Sequence, residues 1–236
     1  MTSVSIVIPF YNEEENLQVL FNEILDALNQ KPNLIDLSIV FVDDCSDDGS
    51  KSFIKSKIKN LKQFNLIELS DRSGQTGAFK AAFETCETDF IIRMDSDLQD
   101  SPKDLNLFFE KILQEDPDLI MGFRTQRKHG RLLRILSHIY DIVVLTFYNS
   151  PLYTNSGSFV AFKTKYVQNL PWFKNDHRYL PLIVIHRGGK NATEVMTRHR
   201  IRKYGKSKYP KFNKILFGPF EIIRFIFRLR TNRYDL

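Results

Sequence analysis

Asp95-Ser96-Asp97 sets two carboxylates two residues apart, directly behind the apolar run Phe90 to Met94. That spacing can present both acids to one hard cation. Mg2+ and Mn2+ take such oxygen ligands and fill their remaining positions with water and substrate phosphates. Gln99 adds a carbonyl oxygen two residues further on. An acidic pair behind a strand also suits a plain solvated loop, so its neighbours have to decide. Tyr11 to Glu13, Asp43 with Asp44, and Asp71 with Arg72 each close an apolar segment in the same way.

Those segments alternate in period. Val4 to Pro9 is a continuous apolar run, and Asn12 to Asn29 follows with Leu17, Leu20, Phe21, Ile24 and Leu28 at helical spacing. Leu37 to Val42, Leu66 to Leu69 and Phe90 to Met94 read as further strands, with helices over Gly49 to Leu61 and Gly77 to Cys86. Ser101 and Pro102 supply an N-cap and a first-turn proline for a helix to about Leu113. Strands apolar on both faces and alternating with helices predict an α/β chain with a mainly parallel sheet covered on each side. Ligands of such sheets bind outside the carboxyl ends of the strands, where all four polar clusters fall. From Gly122 the alternation weakens into amphipathic stretches. The chain therefore reads as one domain, 1–236, with a ligand-binding half over 1–121 and a second half over 122–236.

With 236 residues, 42% of them hydrophobic, the chain is long enough for one large core and excludes disordered and mini-protein classes. Cys45 and Cys86 fit neither a disulfide framework nor a zinc site, which points to a reducing, cytoplasmic compartment. No secretion signal is expected ahead of the strand-like run at Val4. No spanning helix is expected either, because Asp141, Arg224 and Arg228 interrupt the longest apolar stretches. Charge is uneven: residues 198–236 carry 12 Lys or Arg against Glu221 and Asp235, a net of +10 in a chain whose total is +6. Such a tail calls for an anionic partner. Nucleic acid would need stacking aromatics beside the charges and leaves the strand-end acids unexplained, so none is expected. An anionic membrane surface suits Pro219 to Arg230 better. On a helical wheel Glu221, Arg224 and Arg228 share one face there and apolar residues cover the rest.

Two common uses of an α/β crevice are absent, since the chain contains neither G-x-G-x-x-G nor G-x-x-x-x-G-K-[ST]. Phosphatases of the haloacid dehalogenase type place their D-x-D after the first strand, and here it follows the fourth. In order, SIVIPFYNEEENL from Ser5, VFVDDCSDDGS from Val40, DRSGQTGAFKAAF from Asp71 and RMDSDLQDSP from Arg93 resemble the motifs of family-2 glycosyltransferases of the GT-A fold. DSDLQDSP, HRYLPLI from His177 and RKYGKSKY from Arg202 are most similar to dolichol-phosphate mannose synthases and bacterial polyprenyl-phosphate sugar transferases.

The resemblance implies a Rossmann-like, mainly parallel sheet flanked by helices, with amphipathic helices at the C-terminus. It implies an inverting, metal-dependent transfer of a hexose from a GDP- or UDP-linked nucleotide sugar to a polyprenyl phosphate, with 122–236 as the acceptor half. Pro9, Tyr11 and Glu13 would then line the nucleotide pocket with Asp43 or Asp44, beside Arg72. Asp95, Asp97 and Gln99 would hold Mg2+ or Mn2+ and the donor diphosphate, with Asp97 closest to the chemistry. Arg124, Arg134, Arg202, Ser207 and Lys208 would neutralise the donor diphosphate and the acceptor phosphate. The enzyme would attach peripherally to the cytoplasmic face of a membrane, with an integral-membrane partner or a homo-oligomer left open. The segment NSGSFVAF from Asn155 departs from the lipid-phosphate pattern, in which many relatives have an Asp near Asn155 and a basic residue near Val160. That leaves an alternative acceptor, a sugar hydroxyl in a glycan or glycolipid. A phosphate monoester has a second pKa near about 6 and arrives ionised, whereas a hydroxyl requires a general base. Asp176, the one Asp or Glu between Asp141 and Glu194, is the candidate.

Overall fold

Apolar runs that lack a polar face can be satisfied only between two layers, and the chain places them there. The computed structural model describes residues 1–124, 157–198, 200 and 211–235, with the side chains of 124 and 211–219 outside that description. In chain order the elements are β1 (Thr2–Phe10), α1 (Glu14–Asn29), β2 (Ile35–Asp43), α2 (Ser50–Ile58), β3 (Phe64–Glu68), α3 (Gly74–Phe83) and β4 (Phe90–Arg93). There follow α4 (Leu105–Glu115), β5 (Leu119–Arg124), β6 (Val160–Lys163), α5 (Leu180–His186), β7 (Ala192–Thr197) and α6 (Lys211–Arg230). The strands form one sheet in the order β3-β2-β1-β4-β6-β5-β7. Every described pairing is parallel except those of β6, which runs antiparallel to both β4 and β5.

Alternate residues of β1 supply the two cores. Val4, Ile6 and Ile8 pack with Leu17, Leu20 and Ile24 of α1 and Phe108 of α4. Val7 faces the other side with Phe79 and Phe83 of α3, Ile183 of α5 and Phe225 of α6. This is the doubly covered parallel sheet that the unbroken apolar runs predict.

Strand order reverses between β1 and β4, and a proline opens the sheet at that point. The Met94 N–H donates to the Val7 carbonyl on one side of β1, while the Asp44 N–H donates to the Phe10 carbonyl on the other. Pro9 therefore faces β4 with no N–H to continue the ladder. The β1–β4 register runs only from Val4 opposite Phe90 to Val7 opposite Arg93. The two strands part where Asp95 begins.

Several local readings shift. The first helix starts at Glu14 rather than Asn12, because Asn12 sits in the left-handed region at φ 50° and bonds across to Ser46 and Asp47. Ser101 does not cap a helix with its side chain: Pro102–Asp104 form a 3-10 turn and α4 begins at Leu105. The wheel at the C-terminus is rotated. Glu221 and Arg228 turn inward to Arg178 and Asp176, while Phe220, Ile223 and Phe227 stay exposed. Among the described residues no helix is long and apolar enough to cross a membrane.

Candidate active site

Residues at the ends of β1, β2 and β4, and in the loop after β3, meet in one crevice. Asp43, the last residue of β2, is buried and accepts the Ser46 N–H at 2.9 Å, which closes the loop after the strand. Asp44 reaches across to the start of α3 and accepts the Ser73 N–H at 2.7 Å and the Gly74 N–H at 2.9 Å. These are donors that the first helical turn leaves unpaired. A carboxylate at a helix N-terminus also meets the positive end of the peptide dipoles. Burial nevertheless raises the pKa of Asp44, outweighing the two N–H donors and the Arg72 charge that act to lower it. The capped helix begins at Gly74, three residues ahead of the predicted start, with Gly74 itself at φ 69°.

Tyr11 and Arg72 close this side of the crevice: the guanidinium lies 3.9 Å from the centre of the tyrosine ring. A planar cation stacked on a phenol offers a flat surface with donors at its edge, suited to a base or a diphosphate. Glu13 is buried against Ser50 and Asn16 and sits behind the loop. Pro9 is buried within β1 and acts through the strand separation described above.

Asp95 and Asp97 are half-buried, as is Gln99. The turn that carries them is tight. Leu98 adopts φ 61°, a left-handed conformation uncommon for a branched side chain, and the Gln99 N–H donates to Asp97 Oδ1 at 3.1 Å. Backbone strain of this sort persists where the surroundings impose it, often at ligand sites. Here Leu98 is buried in the core beneath the turn. Gln75 on α3 donates to Asp95 Oδ1 at 3.3 Å. Two half-buried carboxylates and an amide oxygen within five residues offer hard-oxygen donors at the end of β4. Among the described residues no group of three or more His, Cys, Asp or Glu gathers into a closed cage. The set fits a Mg2+ or Mn2+ ion that keeps positions for water and phosphate oxygens.

Residues 5–193 match the family model described as glycosyl transferase family 2. The chain belongs to this family. It is 27% identical over 211 residues to dodecaprenyl-phosphate galacturonate synthase of Rhizobium johnstonii, covering 87% of this chain and 61% of that protein. It is 27% identical over 229 residues to undecaprenyl-phosphate 4-deoxy-4-formamido-L-arabinose transferase of Pseudomonas syringae, covering 97% of this chain and 64% of the relative. The chain thus spans less than two thirds of the length of these curated relatives. Glucosyl-3-phosphoglycerate synthase from Mycobacterium tuberculosis, solved with Mn2+, UDP and phosphoglyceric acid, superposes with a TM-score of 0.72 at 16% identity, over 97% of this chain and 78% of that one. A mannosyltransferase from Pyrobaculum calidifontis, solved with GDP-Man and Mn2+, gives 0.60 at 19% identity over 86% and 58%. These neighbours show the GT-A fold.

Within this family-2 chain, Pro9, Tyr11, Glu13, Asp43, Asp44, Arg72, Asp95, Asp97 and Gln99 all lie around the crevice or in the loops that form it. Arg124 ends β5, with its side chain outside the description. Arg134, Arg202, Ser207 and Lys208 lie outside the described residues, as do Asn155 and the stretch 135–148. Arg200, just ahead of three of them in sequence, is described. Its N–H donates to the Gln99 carbonyl at 3.0 Å, and its guanidinium grips Glu23 with two bonds of 2.7 Å.

Asp176 is placed differently from the others. It is fully buried, with Oδ1 accepting the Tyr234 hydroxyl at 2.9 Å and facing Arg228 at 3.3 Å, and Oδ2 accepting the Phe173 N–H at 2.8 Å. Both oxygens are engaged in the junction with α6, and none of this surface opens to an acceptor. Two residues that sequence reasoning left without a role stand closer to the crevice. His177 Nδ1 and the Thr76 hydroxyl share a hydrogen bond of 2.7 Å, and the Thr76 hydroxyl oxygen also accepts the Asn175 N–H. Burial, with Arg93 and Arg178 nearby, drives the His177 pKa down to about 2, so the ring is neutral. Arg93 lies buried at the end of β4 and donates to the His177 carbonyl. The signal for Arg93 was a charged residue closing an apolar strand.

Proposed function

We propose that this chain transfers a glycosyl group from a nucleoside-diphosphate sugar to a polyprenyl phosphate, with inversion at the anomeric carbon. The observation that carries the reading is the convergence of the Asp95–Gln99 turn, the Asp43–Asp44 pair and the Tyr11–Arg72 stack on the point where β1 and β4 separate. A divalent cation held by Asp95, Asp97 and Gln99 would offset the charge that develops on the departing nucleoside diphosphate. The chain's own residues do the rest. Tyr11 and Arg72 seat the nucleotide, Asp43 and Asp44 fix the two loops around it, and Arg124, Arg134, Arg202, Ser207 and Lys208 supply donors to the phosphates.

The phosphate acceptor is favoured over a hydroxyl because Asp176 is sealed and engaged at both oxygens. A phosphate monoester brings its own negative oxygen and needs no base. The names of the two curated relatives, which both contain a polyprenyl phosphate, support the same acceptor class.

The same reading puts the chain at a membrane surface. On α6, Phe220, Ile223 and Phe227 recur at helical spacing and are 66%, 63% and 64% exposed, with Arg224 and Arg230 exposed beside them. An outward apolar stripe edged by arginines suits insertion among anionic headgroups.

The test is a transfer screen with UDP- and GDP-linked sugars, Mg2+ or Mn2+, and polyprenyl phosphate in detergent or vesicles. Turnover should require both cation and lipid phosphate, and Asp97→Ala should lower kcat by about a thousandfold, the scale of losing preorganised charge stabilisation. Equal transfer to a sugar hydroxyl without lipid phosphate would overturn the acceptor assignment.

A further inference from the structure

The turn that carries Asp95, Asp97 and Gln99 is held by more than its own bonds, because the residues that follow β7 lie against its backbone. The Arg200 N–H donates to the Gln99 carbonyl at 3.0 Å, and Arg200 Nη2 donates to the Asp100 carbonyl at 3.2 Å. Two residues earlier, the Arg198 N–H and Nε donate to the carboxylate of Asp104, buried just ahead of α4, at 2.7 and 2.8 Å. The chain leaving β7 is thus clamped along residues 99–104.

The far end of the Arg200 side chain is fixed by α1. Nη1 and Nη2 donate to the two oxygens of Glu23 at 2.7 Å each, and Glu23 stands on that helix between the buried Leu20 and Ile24. An exposed pair of two mobile side chains contributes little to a fold. This pair has a stricter geometry. The planar fork meets both carboxylate oxygens and keeps a hydrogen for the Asp100 carbonyl, an arrangement that a single ammonium nitrogen cannot reproduce. One side chain therefore ties α1 to the backbone at Gln99 and Asp100. From there the restraint reaches the acids, since the Gln99 N–H donates to Asp97 Oδ1.

We propose that Arg200 and Glu23 are positioning residues of the donor site, a paired support anchored on α1 that fixes the backbone at Gln99 and Asp100 so that Asp97 and Gln99 present their oxygens to the divalent cation in one arrangement. The inference rests on the donor-site reading above. Neither residue is a ligand in this scheme. Groups that orient a metal's ligands change its affinity by roughly tenfold to a hundredfold when they are removed, because a loosened turn has to be ordered as the cation binds.

Calorimetric titration of MnCl2 into the protein with UDP, and separately with GDP, tests this support. Arg200→Lys keeps the charge but cannot pair both Glu23 oxygens and reach Asp100 together. Glu23→Asp keeps the charge and draws the carboxylate back by one methylene. Each variant should melt within about 5 °C of the wild type and bind Mn2+ roughly tenfold more weakly in the presence of nucleotide. Combined, the two should weaken binding no further than either alone, since they break one pair, and fully additive losses would overturn the pairing. Transfer lost at limiting Mn2+ should return at excess Mn2+, which a general loss of packing would not give. A folded Arg200→Lys protein with wild-type Mn2+ affinity overturns the proposal, whatever its melting temperature. If Arg200→Lys does not fold, Glu23→Asp decides by the same comparison. Absence of any synergy between Mn2+ and either nucleotide in the wild type would instead overturn the donor-site reading itself.

Discussion

Asp176 and Asp44 are both buried carboxylates whose pKa is raised by burial, yet only one of them borders the crevice. Asp44 spends its oxygens on the start of α3, which fixes the loop bearing Arg72. Asp176 spends its oxygens on the C-terminal junction, and its pKa is pushed from 3.8 up to about 6. A carboxyl group raised in the folded state stabilises the fold fully below its unfolded pKa, and that contribution is lost as pH rises through the folded value. The wild type should therefore lose part of its unfolding free energy between about pH 4 and pH 6. Asp176→Asn should flatten that segment of the profile, measured by urea unfolding across the range. At neutral pH the same variant should cost about 1–3 kcal/mol, because its amide cannot accept from Tyr234, Phe173 and Arg228 together. Transfer by the folded variant should persist. A hundredfold loss of kcat with unchanged stability would restore the general-base reading of Asp176.

Among the described elements, β5 holds a position that depends on a missing side chain. A Cβ on Gly122 would lie 2.8 Å from the Phe159 carbonyl oxygen and 3.1 Å from Thr197 Cγ2, between β6 and β7. The Gly122 N–H donates to that same carbonyl at 2.9 Å, so the strands cannot separate without losing the bond. Gly122→Ala should destabilise the protein by about 1–3 kcal/mol, the usual cost of overpacking, read as a lower urea midpoint. Because Arg124 ends this strand two residues later, donor affinity should weaken in the same variant. The 3-10 turn Asp176–Arg178 is the other hinge between elements. Its outer residues are held by Arg228 and Glu221 of α6, and its middle residue by Thr76 and Arg93 on the crevice side. Sequence reading found HRYLPLI as a motif, but nothing local told that one residue of it faces the site and the next faces α6.

For the whole molecule, charge asymmetry is the property with the longest reach. The net of +10 over residues 198–236 sits behind a body of net −4, and α6 carries its outward Phe220, Ile223 and Phe227 within the basic part. Vesicles containing anionic lipid should retain the protein in co-sedimentation, with binding weakened as salt rises from about 0.05 to 0.5 M because the Debye length shortens. Replacing Phe220, Ile223 and Phe227 together by Ser should remove the salt-resistant part of binding without lowering the melting temperature, since all three are exposed. What the sequence determined unaided was the strand–helix alternation and the fall of the polar clusters at strand ends. Strand runs, helical spacing and polar clusters are patterns within a few residues, and carboxyl-end placement follows from them for any parallel sheet. Tertiary structure alone decided the insertion of antiparallel β6 between β4 and β5, the inward turn of Glu221 and Arg228, the sealing of Asp176 and the contact of Arg93 with Phe79 and His177. Each of these depends on partners far away along the chain, where strand direction and burial leave no local periodicity to read.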